Sequence, residues 1–89
     1  MLTLLKFKAE WCAPCKAMLP AMETIKEEFK DTMIVSDVDI DDNPQLRLDF
    51  HIRSIPAFVL VKDGKEISRS IGSKTIGELR DWLNESRNL

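Results

Sequence analysis

The apolar and polar positions change rhythm several times along the chain, and each change marks a structural element. Leu2 to Lys8 is an apolar-rich run that reads as a buried or half-buried strand. From about Pro14 to Lys30 the rhythm becomes helical. Met18, Met22, Ile25 and Phe29 recur at steps of four, three and four and line one face. Pro20 lies inside that stretch and predicts a kink, because it has no N–H and its ring crowds the preceding turn. Met33 to Ile40 is rich in β-branched residues and predicts a second strand. Asp42 and Asn43 are cap-type residues, and Pro44 suits a first helical turn, so a short helix should run to about Phe50. The runs Pro56 to Lys62 and Lys65 to Ile71 flank Asp63 and Gly64, the strongest hairpin signal in the chain. Thr75 and Glu78 have the spacing of a capping box, which starts a final helix burying Ile76, Leu79 and Leu83, although Gly77 weakens its intrinsic propensity. Trp82 and the methionines of the first helix read as packing residues.

The element order is therefore β-α-β-α-β-β-α. The first two βαβ crossings imply parallel pairing and the hairpin adds antiparallel strands. The expected architecture is one α/β domain over residues 1–89, a mixed sheet covered by helices. Composition agrees: 44% hydrophobic and 31% charged residues suit a folded globule, and 89 residues suit one modest core. The net charge of −2 is spread through the chain, with no basic block to grip nucleic acid phosphates, so no nucleic acid partner is expected. Met1 to Phe7 is too short for a signal-peptide core, and no apolar run approaches the roughly 20 residues needed to span a bilayer. The expected location is the cytosol, away from membranes, where thiols are mostly kept reduced. A close pair of cysteines there needs a role other than structural stapling.

That pair, Cys12 and Cys15, falls at the junction of the first strand and first helix. Unsatisfied N–H groups and the positive end of the helix dipole favour an anion there, which stabilises a thiolate. Cys12 is expected at or just before the first turn, exposed at the strand's end, with Cys15 one turn on and beneath it. Such a spacing brings two cysteines within disulfide reach, with Cα atoms typically ~5–6 Å apart. Pro14 offers no N–H to the sulfur of Cys12, and one fewer donor favours a reductant over an oxidant. A zinc site would need about four ligands, and His51, far along the chain, is the one further nitrogen ligand; no metal is expected. His51 reads instead as a helix end, since histidine tolerates left-handed backbone better than most residues.

Ala9 to Lys16 (AEWCAPCK), Pro20, Asp39 to Asp41 (DID) with Asn43 and Pro44, Ile52 to Ala57 (IRSIPA), Lys62 to Gly64 (KDG) and Gly72 occur in one order. In this the chain resembles the thioredoxin family from Leu2 to its C-terminus. The family's N-terminal strand and helix are lacking, as in short thioredoxin- and glutaredoxin-like proteins of some phages and archaea. The resemblance implies a minimal thioredoxin fold, with a four-stranded sheet of order 2-1-3-4 flanked by three helices. It also implies a protein-disulfide reductase or electron carrier that is monomeric, binds no cofactor and uses a Cys12–Cys15 disulfide. Cys12 is then the nucleophile and Cys15 the resolving thiol. Pro56 matches the family's cis-proline, which leaves the backbone of Ile55 free to pair with an extended substrate segment. Trp11, Ala13, Ile55, Pro56, Ile71 and Gly72 are the implied substrate-binding residues, with Trp11 also open to a packing role. Implied partners are disulfide-containing proteins, with electrons from an NADPH-dependent thioredoxin reductase or from the glutathione system.

Two departures from the family pattern stand out. Ala13 replaces the more usual glycine, and its methyl crowds the docking of some partners. Lys6 stands where the family usually carries a buried Asp, and Asp37 stands where it usually has a Lys. The expectation is a reversed ion pair near the buried face of Cys15, where the ammonium lowers the thiol pKa values and Asp37 accepts a proton; the alternative is two surface residues that never meet. Two other functions compete with the reductase: a glutaredoxin-like protein recharged by glutathione, and an accessory subunit that binds through the groove without redox turnover.

Overall fold

In the computed structural model, which describes residues 1–89, β1 (Leu2–Lys8) occupies the middle of the sheet and is paired along both edges. On one side it runs parallel to β2 (Met33–Asp39), with Lys6 opposite Asp37 and Phe7 opposite Val38. On the other it runs antiparallel to β3 (Ala57–Lys62), with Phe7 opposite Ala57. β4 (Lys65–Ile71) completes the order β2-β1-β3-β4. Asp63 and Gly64 join β3 to β4 with φ of +51° and +83°, the doubly positive backbone of a two-residue hairpin turn that matches strand twist.

The expected parallel crossing between the second and third strands is not found: β3 runs opposite to β1 and β2. The connection holds α3 (Pro44–Asp49), six residues and about 9 Å long, and the chain enters β3 at the end of the sheet where it left β2, beside Phe7. The first helix also differs from expectation. It is two helices, α1 (Ala13–Ala17) and α2 (Leu19–Glu28), giving four helices rather than three. Pro20 is the cause, since it has no N–H to continue the ladder, and Met18 ends one helix and caps the next.

One sheet face carries Leu4, Phe58 and Leu60 against Met22, Ile25 and Phe29 and against Leu79 and Leu83 of α4 (Ile76–Ser86). The other face carries Phe7, Val38, Ala57 and Val59, joined by Ile40, Ile52 and both cysteines. α3 ends with the N–H of His51 on the carbonyl of Leu48 and that of Ile52 on Arg47, with His51 at φ +54°. That is a Schellman stop, and it confirms the reading of His51 as a helix end. Asn43, expected as a side-chain cap, instead donates from Nδ2 to the carbonyl of Asp39. On α4 the capping box is complete: Glu78 N–H donates to Thr75 Oγ1 at 3.1 Å, and Thr75 N–H to Glu78 Oε1 at 2.9 Å. Replacing Thr75 by Ala removes half of this box, and urea unfolding should show a loss of about 1 kcal/mol; an unchanged midpoint would deny the cap a role in stability.

Candidate active site

β1 ends at Lys8, and the next residues turn directly into α1. Cys12 is the N-cap of that helix in extended backbone, and its Sγ accepts the N–H of Cys15 at 3.2 Å. Ala13 and Pro14 take the first two helical positions, both exposed, so Pro14 contributes no donor to the sulfur. Cys12 and Cys15 are joined as a disulfide with Cα atoms 5.3 Å apart. Support from an aligned row of helix dipoles is smaller than the sequence suggests, because α1 has only five residues. What remains is local: one N–H aimed at one sulfur.

Cys12, expected to be exposed, retains only 4% of its accessible surface, and Cys15 2%. Both are packed in the cluster of Phe7, Ala9, Ile40, Ile52 and Ala57, with Ile55 against it. The exposed part of the site is the ring of residues around the sulfurs. Trp11 is 67% exposed and its Nε1–H donates to Asp41 Oδ2 at 2.9 Å. Ile71 is 47% exposed at the end of β4. The Ile55–Pro56 peptide is cis, and the Pro56 carbonyl accepts the N–H of Gly72 at 2.8 Å. Ile55 uses neither its N–H nor its C=O in a hydrogen bond. Gly72 has φ +97°, a backbone conformation a side chain would strain even though nothing crowds its Cα. Trp11 and Ala13 flank Cys12 in the chain, Ile55 packs against the cluster that holds the disulfide, and Gly72 is bonded to Pro56 next to it. Asp41 enters the sequence reading only within the family-like run Asp39 to Asp41, with no site role. The signal was its place just beyond β2, since parallel pairing sets the ends of β1 and β2 side by side.

Lys6 is fully buried, on the sheet face that also carries Leu4, and its Nζ donates to the carbonyl oxygen of Cys15 at 3.2 Å. The expected contact pair with Asp37 is not formed. Asp37 lies on the open edge strand, and its carboxylate pairs with Lys26 of α2 at 3.3 Å. Burial pushes the pKa of Lys6 below the ordinary lysine value; Asp37 opposes that shift, and Lys8 and Lys26 add to it. The sign for stability follows. Between the lowered folded value and about 10.5 the unfolded chain binds more protons, so stability rises with pH across that window and the penalty is fully present below it. Lys6→Met should therefore unfold at higher denaturant than the parent at neutral pH, with the gap closing as pH approaches that of free lysine. A gap that is constant with pH would contradict the assignment.

A profile of the thioredoxin family matches residues 1–85. Over 80 residues the chain is 40% identical to thioredoxin of Rickettsia prowazekii, covering 90% of this chain and 76% of that one. It is 44% identical over 73 residues to thioredoxin of Chlamydia trachomatis, covering 82% of this chain and 71% of that one. Among solved structures, Fasciola hepatica thioredoxin matches with a TM-score of 0.87 at 30% identity, covering 96% of this chain and 80% of that one.

Proposed function

The chain belongs to the thioredoxin family and is a thiol–disulfide oxidoreductase, and from that premise we propose that Cys12 is its attacking sulfur and Cys15 its resolving one. The observation that carries this assignment is the N–H of Cys15 aimed at the Sγ of Cys12. When the disulfide is reduced, charge on Cys12 is already met by that donor, and a hydrogen bond to a thiolate is stronger than one to a neutral sulfur. Cys12 also borders the exposed residues Trp11 and Ala13, and it keeps 4% of its surface against 2% for Cys15. The Cys12 thiolate attacks a sulfur of the target disulfide, and a mixed disulfide forms as the first target thiolate leaves. Cys15 then attacks Cys12, restoring the internal disulfide and releasing the second target thiol.

The free N–H and C=O of Ile55 offer an extended target segment a place to add as a short strand. Trp11, held by Asp41, and Ile71 give apolar walls on either side, with Gly72 fixed against Pro56. The substrates are disulfide-containing proteins, and the redox group is the Cys12–Cys15 pair. Electrons come from an NADPH-dependent thioredoxin reductase, a reading supported by Trp11 and Pro14, which fit thioredoxin rather than a glutathione-charged relative.

Reduction of insulin disulfides tests the whole. Activity is expected with NADPH and thioredoxin reductase, and little with glutathione and glutathione reductase; the reverse preference would overturn the donor assignment. Cys12→Ser should abolish turnover, while Cys15→Ser should accumulate a covalent adduct at Cys12. Trp11→Ala should raise KM several-fold with a smaller change in kcat, about the 1–2 kcal/mol expected for losing an apolar contact wall. A cellular role that survives replacement of both cysteines by serine would instead identify a binding subunit.

A further inference from the structure

The exposed rim of the disulfide does not stop at Ile71. Beyond it lies a depression that the exchange steps do not use, between α1 and the turn from β4 into α4. Pro14, Ala17 and Met18 form one wall and Ser73, Lys74 and Thr75 the other, around a volume of about 340 Å³. An adjoining recess shares Ala17, Met18, Lys74 and Thr75 and carries the depression along α2 as far as Thr24. Both walls start at the redox site. Pro14 is two residues from Cys12, and Ser73 follows Gly72, whose N–H is bonded to the Pro56 carbonyl.

Lys74 is the cation of this depression. Its Nζ donates to the Ile71 carbonyl at 3.5 Å, which tethers the ammonium to the end of β4. No carboxylate lies within ion-pair distance of it. Glu78, the one acid on the walls, gives its Oε1 to the Thr75 N–H in the capping box. Charge around the sulfurs is therefore uneven. Glu10, Asp41 and Asp42 are exposed at the Trp11 end, whereas the Ile71 end carries a cation without a counterion. The net charge of −2 offers an anionic partner no general attraction, so a preference for one has to come from a local group.

We propose that Lys74 and the depression beside it form a second docking groove, which selects targets carrying an acidic residue on one flank of the reacting cysteine. The proposal rests on the reading of Cys12 as the attacking sulfur. The occupant is an extended segment of the disulfide-containing target, continuous with the part that lies over the sulfurs. Pro14 and Ala17, both exposed, supply apolar contact, and a carboxylate of the segment meets the Lys74 ammonium. An acidic residue on the other flank falls instead near Glu10, Asp41 and Asp42 and is repelled. The groove thus sets which way a target lies across the site as well as which target reacts. Lys74 touches no reacting atom, and the exchange chemistry is unchanged.

Nonapeptides with a central cysteine joined to thionitrobenzoate test this, because attack by the reduced protein releases the coloured thiolate. One peptide has neutral flanks, one has two glutamates before the cysteine, and one has two after it. At low ionic strength one acidic flank should raise the second-order rate about three- to fivefold over the neutral peptide, the size of one exposed ion pair, and the other should not raise it. The gain should fade at about 0.5 M salt. Lys74→Gln should erase the ratio of acidic to neutral rates, and Lys74→Glu should invert it. Ala17→Phe, which fills the groove and keeps the cation, should erase it as well. Each ratio is taken within one variant, so a general loss of activity does not imitate the effect, and the flank difference in the unmodified protein needs no variant. No gain in the unmodified protein, an equal gain on both flanks, or a gain kept in Lys74→Gln or Ala17→Phe would overturn the proposal. Release of thionitrobenzoate by Cys12→Ser at the parental rate would instead overturn the reading of Cys12.

Discussion

β1 is hydrogen-bonded along both edges and covered on both faces, and every functional residue is placed relative to its C-terminal end. Its parallel partner ends beside it, which brings Asp41 to the indole of Trp11. Its antiparallel partner starts beside it, which brings Pro56 and Ala57 under the cysteines. A strand held on both sides has no freedom to shift register, because a one-residue slip would turn Leu4 and Lys6 to the opposite face. The tight turn from β1 into α1 therefore delivers Cys12 and Cys15 to a fixed position. Residues around the pair, among them Trp11, Ala13, Pro14 and Ile71, face solvent.

The same rigidity explains how a lysine is kept in the interior. Lys6 lies between two paired neighbours, which fix its backbone in the middle of the sheet. Its long stem fills the space on the face shared with Leu4, and its one polar contact is a backbone carbonyl. The cost is borne by a sheet whose two clusters bury Phe7, Phe58, Leu60, Leu79 and Leu83 completely. Lys6 meets the redox pair through the Cys15 carbonyl. The charge exchange between positions 6 and 37 thus has unequal consequences. One residue enters the core, and the other remains at an open edge paired with Lys26.

Features governed by local rules could be read from the chain itself. The Asp63–Gly64 hairpin, the Thr75–Glu78 box, the break caused by Pro20 and the left-handed His51 each follow from backbone preferences within a few residues. The cysteine pair was equally readable, because its spacing and its strand-to-helix junction lie in one short segment. Features set by distant partners were not. The direction of β3 is set by its pairing with β1, and the low exposure of Cys12 depends on packing contributed by Ile40, Ile52 and Ala57. Lys6 and Asp37 are register partners, as their positions suggested, yet the carboxylate went to a side chain on α2. Pairing between strands follows from register, whereas the choice among competing cations follows from helix packing that no local pattern encodes.

The central claim is that the two sulfurs are chemically unequal, Cys12 being the one whose thiolate the N–H of Cys15 meets. Limiting alkylation of the reduced protein near neutral pH, followed by peptide mass analysis, tests this directly. The account predicts that modification falls almost wholly on Cys12, with Cys15 reacting only after the protein is unfolded. Equal modification of both cysteines, or preference for Cys15, would contradict it.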